Sequence, residues 1–414
     1  MPPFDVPSDG FLVDHVTLRD WTRDVICRTG TEADIADDVA DVLVAADLRG
    51  ITSHGTGRLS MYVSLVEAGI TDAHQRPERI GGTPALGLWD AHNGWGPHAG
   101  RVVMDDVIVK ATTLGIAAAV IRHANHYGIA GWYAIRAADR GLIGMTMTNG
   151  TPLVAPTRGR TKLLGTNPIA FAAPAGRYGH LVLDMATSSV TWGRLLVDAR
   201  RGRDLADGVG MDAEGRVTTS PAAVLADGAL IPLGGSEATA GYKGYGLALM
   251  VDALTGVLAA ASSGPFVEPF SLVGGPSNLG QMFLAIDPDA LDPGGYEQRL
   301  ETLLDARGRE FAEQDDERTE DILPPTVEVD DDPSSDSVSV TFESEDSFNE
   351  MPDFLAKDQS PEDELKDIVR GLRLQGMLQS SLEAMVFRRG KRMGLSDTVI
   401  RRIINEVAGE RGGS

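Results

Sequence analysis

An acidic tract divides this chain before any helix or strand is assigned. From Glu310 to Asp358 it runs through Asp-Asp-Glu-Arg, Asp330-Asp331-Asp332, Pro-Ser-Ser-Asp and Glu-Ser-Glu-Asp with few bulky apolar side chains. Such a segment buries too little apolar surface to offset the entropy of ordering it, so it reads as a disordered linker. Folding must then happen on either side of it. The expected organisation is a body over residues 1–309, an acidic linker over 310–358 and a small helical C-terminal segment over 359–414. Most of the net charge of −23 falls in the linker, so the charge is a regional property. It still argues against a nucleic-acid partner held by a global positive field.

The body alternates helical and strand patterns. Asp20 to Ala46 has helical spacing with Ile26, Ile35, Val39, Val42 and Leu43 as buried points, and Ser60 to Ala68 continues as a second helix. Arg101 to Leu114 is amphipathic, Ala134 to Arg140 is helical, and Leu247 to Ala261 is a long apolar helix. Strands are expected at Gly115–Ile121, Leu142–Thr148, Ile169–Ala173, Leu181–Asp184 and Met282–Ile286. No apolar run reaches bilayer length and Cys27 is the only cysteine, so the reading is a soluble, cytoplasmic protein without membrane partner, disulfide or thiolate metal cage.

Asp47 to Tyr62 gathers hydroxyl, imidazole, guanidinium and phenol behind an apolar helix. Ser53 can orient or polarise His54, and an imidazole near its free pKa exchanges protons around neutrality. Arg58 offers a planar fork for a carboxylate, and its four-residue spacing from His54 suits one side of a helical turn. A Ser-His-Gly triplet also serves in capped loops. Gly94, Gly96 and Ala99 have dinucleotide-fingerprint spacing, but Pro97 and His98 stand where the helix should open and the preceding run makes a poor buried strand. His123 and His126 stand together after a strand, as metal ligands lacking nearby carboxylates or as hydrogen-bonded loop residues. Gly165-Thr166-Asn167-Pro168 is a held turn. Asp184-Met185-Ala186-Thr187-Ser188 suits ribose hydroxyls and phosphates, or a helix cap, and Gly241-Tyr242-Lys243-Gly244 places an ammonium at a helix start.

Arg-Gly-Ile-Thr-Ser-His-Gly, Asn-His-Tyr-Gly, Leu-Gly-Thr-Asn-Pro, Asp-Met-Ala-Thr-Ser and Tyr-Lys-Gly-Tyr-Gly-Leu occur here in that order. Over about residues 10–300 the chain thereby resembles the malate/L-lactate dehydrogenase family of the non-Rossmann type, which includes ureidoglycolate and sulfolactate dehydrogenases and cyclic-imine reductases. The resemblance implies an α+β fold with a helical portion and a mixed-sheet cofactor-binding portion unrelated to the Rossmann sheet, working as a homodimer. It also implies hydride exchange between NAD or NADP and a small 2-oxo or 2-hydroxy acid, or an imine. By similarity His54 is the proton donor with Ser53 as relay, Arg58 and Tyr62 contact the substrate, and Thr166 faces it. His126 stands where some members have a base and others a cofactor contact. Gly150, Asp184, Met185, Ala186, Lys243 and Gly244 would hold the dinucleotide.

There are departures. Tyr242 stands where histidine is common, Trp192-Gly193-Arg194 brings a bulky ring, and no Pro-Gly-Glu turn follows Leu304. In the tail, Val338–Phe342 is strand-like, Ser360-Pro361 opens a helix, Ser396 and Asp397 cap the last one, and Arg388–Arg392 is a solvated helix end or a dock for the linker or an unknown acidic partner. Two rival readings are an impaired dehydrogenase body serving as a scaffold through its linker and tail, and a metal-dependent hydrolase built on His123 and His126.

Overall fold

Leu279–Ile286, whose side chains alternate between full and partial burial from Gln281 onward, is the central strand of the body. The computed structural model describes residues 13–272, 275–312, 337–338 and 395–409. The strands in chain order are β1 (Val13–Asp14), β2 (Glu78–Gly82), β3 (Leu86–Asp90), β4 (Ile116–Ala124), β5 (Ile143–Thr148), β6 (Ile169–Pro174), β7 (His180–Met185), β8 (Gly210–Met211), β9 (Ala229–Leu230), β10 (Leu279–Ile286) and β11 (Ser337–Val338). The helices are α1 (His15–Cys27), α2 (Ala33–Leu48), α3 (Leu59–Glu67), α4 (Gly96–Leu114), α5 (Gly131–Ala138), α6 (Trp192–Arg200), α7 (Pro221–Ala226), α8 (Tyr242–Asp252), α9 (Tyr296–Ala312) and α10 (Asp397–Gly409).

One seven-stranded mixed sheet has the order β2-β3-β4-β10-β5-β6-β7. Only β3 and β4 pair in parallel, joined by α4 as a crossover; the other pairings are antiparallel. Because β10 opposes both β4 and β5, those two run the same way, and β7 joins them after the turn through β6. The C-terminal ends of β3, β4, β5 and β7 therefore share one sheet edge with the starts of β10 and β6. That edge receives every motif singled out in the sheet.

Apolar faces explain the layers. Val103, Met104, Val107 and Ile108 of α4, with Ala134 and Ala137 of α5, join Ile121 and Phe283 in the largest core. Met147, Ile169 and Val251 join with Leu247 and Leu254 in another, which brings α8 and the π-helical turn Ala253–Val257 against the sheet. Ile35, Val39 and Leu43 of α2 pack with Tyr62 and Trp95, and the five apolar points expected in the first helical stretch are fully buried.

That stretch is two helices where the sequence suggested one. Thr29 Oγ1 closes on the Ile26 carbonyl and Gly30 takes φ +86°, a left-handed turn that ends α1. Pro97 opens α4 instead of blocking it, as proline does in a first turn. In the tail, Ser396 Oγ accepts from Val399 N at 3.4 Å and caps α10, as its sequence indicated, and Val338 pairs with Val13. The linker otherwise, the helices expected before residue 395 and the Arg388–Arg392 cluster lie outside the described residues.

Phe283 is fully buried with Tyr127 and Tyr133 packed edge-on at 6.2 and 5.8 Å. Phe283→Ala is expected to cost about 3–5 kcal/mol in chemical denaturation, from lost transfer energy and a cavity. A cost below about 1 kcal/mol would contradict this account of the core.

Candidate active site

The last turn of α2 delivers Asp47 into the interior, where it is 5% exposed. Its Oδ2 accepts from Thr56 N at 2.8 Å and Thr56 Oγ1 at 2.7 Å. The chain between them forms two 3₁₀ turns, Thr52–His54 and Thr56–Arg58, that meet at an extended Gly55. A Cβ on Gly55 would fall 1.7 Å from Asp47 Oδ1, so only glycine fits. The single helical turn expected from the His54–Arg58 spacing is thus replaced by a kinked pair, held shut by a buried carboxylate.

The kink brings the polar groups together. Ser53 Oγ lies 3.0 Å from His54 Nδ1, and Arg58 Nε donates to the Ser53 carbonyl at 2.6 Å. The terminal nitrogens of Arg58 meet no carboxylate among the described residues. The His54 ring stacks on His126 at 5.4 Å, and Phe270 packs on the other histidine at 5.0 Å. Tyr62, 3% exposed, puts its hydroxyl 2.6 Å from His126 Nδ1 and faces Trp95 across 6.1 Å. Burial, reinforced by Arg58, lowers His54 to about 4. Burial, then the charges of His54 and Arg58, holds His126 well below the ordinary imidazole range. Burial raises Asp47, against the two bonds from Thr56.

The sheet edge adds the second half. Thr166 O accepts from Thr187 N at 2.8 Å, Thr187 O accepts from Leu233 N at 2.9 Å, and a Cβ on Gly244 would strike Leu233. Thr166, the end of the Asp184-Met185-Ala186 strand and the Lys243-Gly244 helix start are therefore adjacent layers. Gly150 joins them, since a Cβ on Gly165 would meet the Gly150 carbonyl at 2.6 Å, while Gly150 itself opens on free space. Asn167 is fully buried, donates to Ala248 O at 3.0 Å and keeps Oδ1 without a partner. Lys243 is exposed at the start of α8. Asp184 Oδ2 accepts from Gly131 N at 2.7 Å, closing the start of α5. The halves meet at α6: a Cβ on Gly193 would lie 2.7 Å from Ser53 Cβ and 3.8 Å from an Arg58 nitrogen.

Some residues had no functional reading in the sequence. Asp47 lay inside the quoted stretch without a role, Gly193 was noted only beside the bulky Trp192, and Phe270 had no periodic signal. His123 leaves the site: its Nδ1 binds Asp90 at 2.9 Å. Among the described residues no group of three or more His, Cys, Asp or Glu side chains could hold a metal. The Gly94-x-Gly96 spacing is not a phosphate cradle, because the carbonyls of Asn125 and His126 crowd Gly96.

Residues 13–320 match the malate/L-lactate dehydrogenase family. The chain belongs to that family. Its relatives include a malate dehydrogenase of Pyrococcus horikoshii, 44% identical over 270 residues that span 65% of this chain and 74% of that protein. An L-sulfolactate dehydrogenase of Methanocaldococcus jannaschii is 35% identical over 68% of this chain and 80% of its own length. The solved structure of malate dehydrogenase from Pyrococcus horikoshii OT3 superposes with a TM-score of 0.66 at 32% identity, covering 94% of this chain and 98% of that one. The family's fold is the mixed α and β architecture seen here, without a Rossmann sheet.

Two outcomes follow for this family member. Asp47→Ala strands the Thr56 amide and is expected to cost about 2–3 kcal/mol in denaturation, whereas a cost near zero would remove Asp47 as the clamp. Both imidazoles bind protons less readily folded than unfolded, so unfolding takes up protons between about pH 6.5 and 4. Stability is full above that window and is lost as pH falls through it. The denaturation midpoint should decline over this range, less steeply in His54→Gln; equal slopes would rule out His54 as a contributor.

Proposed function

We propose that this chain is an oxidoreductase that reduces a small 2-oxo acid, or a related cyclic imine, with hydride from NADH or NADPH, and runs the reverse oxidation of the 2-hydroxy acid. Membership in a family of hydroxy-acid dehydrogenases supports this reading. The observation that carries it is the Arg58 guanidinium, anchored through Nε on the Ser53 carbonyl with its fork unpaired by any described carboxylate, next to an imidazole bonded to a hydroxyl. A small carboxylic acid supplies the missing anion bidentately.

The residues fit a dinucleotide. Gly150 opens on free space, and the buried Asn167 Oδ1 is unpartnered between it and α8. Gly150, Asp184, Met185, Ala186, Lys243 and Gly244 would hold the cofactor, with Lys243 and the start of α8 toward phosphate. The cofactor supplies the hydride and so the difficult step. What the protein does is orient and move one proton. Arg58 fixes the carboxylate so that one face of the carbonyl is presented, with Thr166 beside it. As charge develops on the substrate oxygen, a proton on His54 Nε2 passes to it, while Nδ1 stays on the Ser53 hydroxyl. The substrate's negative charge offsets the burial that disfavours imidazolium at His54. The working unit is proposed to be a cytoplasmic homodimer.

His54→Ala is expected to lower kcat by about 10²–10⁴-fold against a panel of 2-oxo acids, with little change in cofactor affinity by nicotinamide fluorescence. Arg58→Lys should raise KM for the acid chiefly. Turnover near that of the parent in His54→Ala would overturn the reading.

A further inference from the structure

The two stacked imidazoles are held differently, and the difference assigns them different jobs. His126 Nδ1 receives Gly128 N at 3.3 Å and faces the Tyr62 hydroxyl at 2.6 Å. A backbone N–H can only donate, so Nδ1 must carry the lone pair. The phenol agrees: its other acceptor, the His126 carbonyl, is at 3.4 Å, so its proton goes to the nearer Nδ1. Burial keeps that phenol protonated. The proton of the neutral ring must then sit on Nε2. Phe270 and His54 both pack on the ring and hold it in place.

His54 has no such constraint. Its Nδ1 faces a serine hydroxyl, which donates or accepts by rotating about one bond. Among the described residues nothing binds the Nε2 of either ring, and neither Nε2 is a buried atom without a partner, so each stays accessible to a ligand. Two imidazolium charges with ring centres 5.4 Å apart, next to a guanidinium, repel strongly, so at most one ring carries the extra proton.

We infer that His126 is a fixed Nε2–H donor that holds the substrate's reacting oxygen throughout the reaction, and that His54 alone exchanges the proton. The inference rests on the oxo-acid reductase reading for its catalytic meaning, but the tautomer is a property of the free protein. In reduction the carbonyl oxygen accepts from His126 Nε2–H, gains its proton from His54 Nε2, and leaves His126 neutral with its proton still in place. In oxidation the same bond holds the hydroxyl oxygen while neutral His54 takes the proton. Tyr62 is thereby a positioning residue, acting through His126 without touching the substrate. A neutral imidazole serving as a hydrogen-bond donor stabilises developing oxygen charge without exchanging a proton.

The test uses the full chain labelled with ¹⁵N-histidine and free of ligand, with the His126 signals assigned by their loss in His126→Gln. Long-range ¹⁵N–¹H correlation should show the Nε2–H tautomer of His126, unchanged through neutral pH; an Nδ1–H tautomer or an imidazolium overturns the inference. The kinetic arm compares variants. His126→Gln keeps an N–H donor and should hold kcat within about tenfold of the parent with the same pH limb, whereas His126→Ala should lose about 10²–10³-fold. His54→Gln should erase the limb. A His126→Gln enzyme as slow as His126→Ala and lacking the limb makes His126 the proton carrier and defeats the proposal. Failure of the parent to reduce any oxo acid would instead defeat the reductase reading and leave the tautomer measurement standing.

Discussion

A buried carboxylate holds the site open to chemistry. Asp47 sits in the last turn of a helix whose buried face is otherwise apolar but for Asp38, and its two bonds to Thr56 fold the intervening residues into a kink no regular helix could make. Because Oδ1 occupies the space where a Gly55 side chain would be, the turn has little freedom to relax. Ser53, His54 and Arg58 inherit their positions from it. The cost of burying the carboxylate is offset by two hydrogen bonds from Thr56.

The sheet does the complementary work. Its strand directions bring the ends of β4, β5 and β7 and the start of β6 to one edge, so His126, Gly150, Asp184 and Thr166 need only short loops to meet. Buried amides then lock the loops: Asn149 donates to Asp252 and to the Ser262 carbonyl and accepts from Gly280 N, while Asn167 reaches the α8 backbone. The π-helical turn after α8 belongs to this joint, since side chains on Gly256 or Gly280 would collide across it. The Ser53–Arg58 turn and the sheet edge are joined where Gly193 of α6 packs on Ser53, which explains a glycine beside Trp192 better than the ring does.

The sequence was legible wherever periodicity governs burial. Ile26, Ile35, Val39, Val42 and Leu43 fell where helical spacing put them, and the expected strands recur with ends shifted by a few residues. The break between α1 and α2 was not legible, because Thr29-Gly30-Thr31 sits inside an otherwise continuous alternation. Asp47 was missed because a carboxylate late in a helix looks like any solvated position; only its tertiary partner marks it as buried. Phe270 reaches the histidines from a loop, where no repeat pattern points inward. The motifs of the site were readable as a set through their order and family likeness, but their individual duties were not. Tyr62 is the instance: the family resemblance implied a substrate contact, and the structure adds a hydrogen bond between its hydroxyl and His126 Nδ1 that no sequence pattern announced.

The proposed chemistry moves one proton on His54, keeps the His126 proton in place and leaves the Arg58 guanidinium for a carboxylate. The most direct measurement is isotope tracing: the chain is supplied with nicotinamide cofactor deuterated at the hydride position, either form, and a panel of 2-oxo acids, and the products are read by mass spectrometry and chiral separation. Deuterium at carbon 2 of a single enantiomer of the hydroxy acid is expected, since Arg58 presents one carbonyl face. Oxidation of the cofactor without label in the acid, or a racemic product, would contradict direct transfer in a site so ordered.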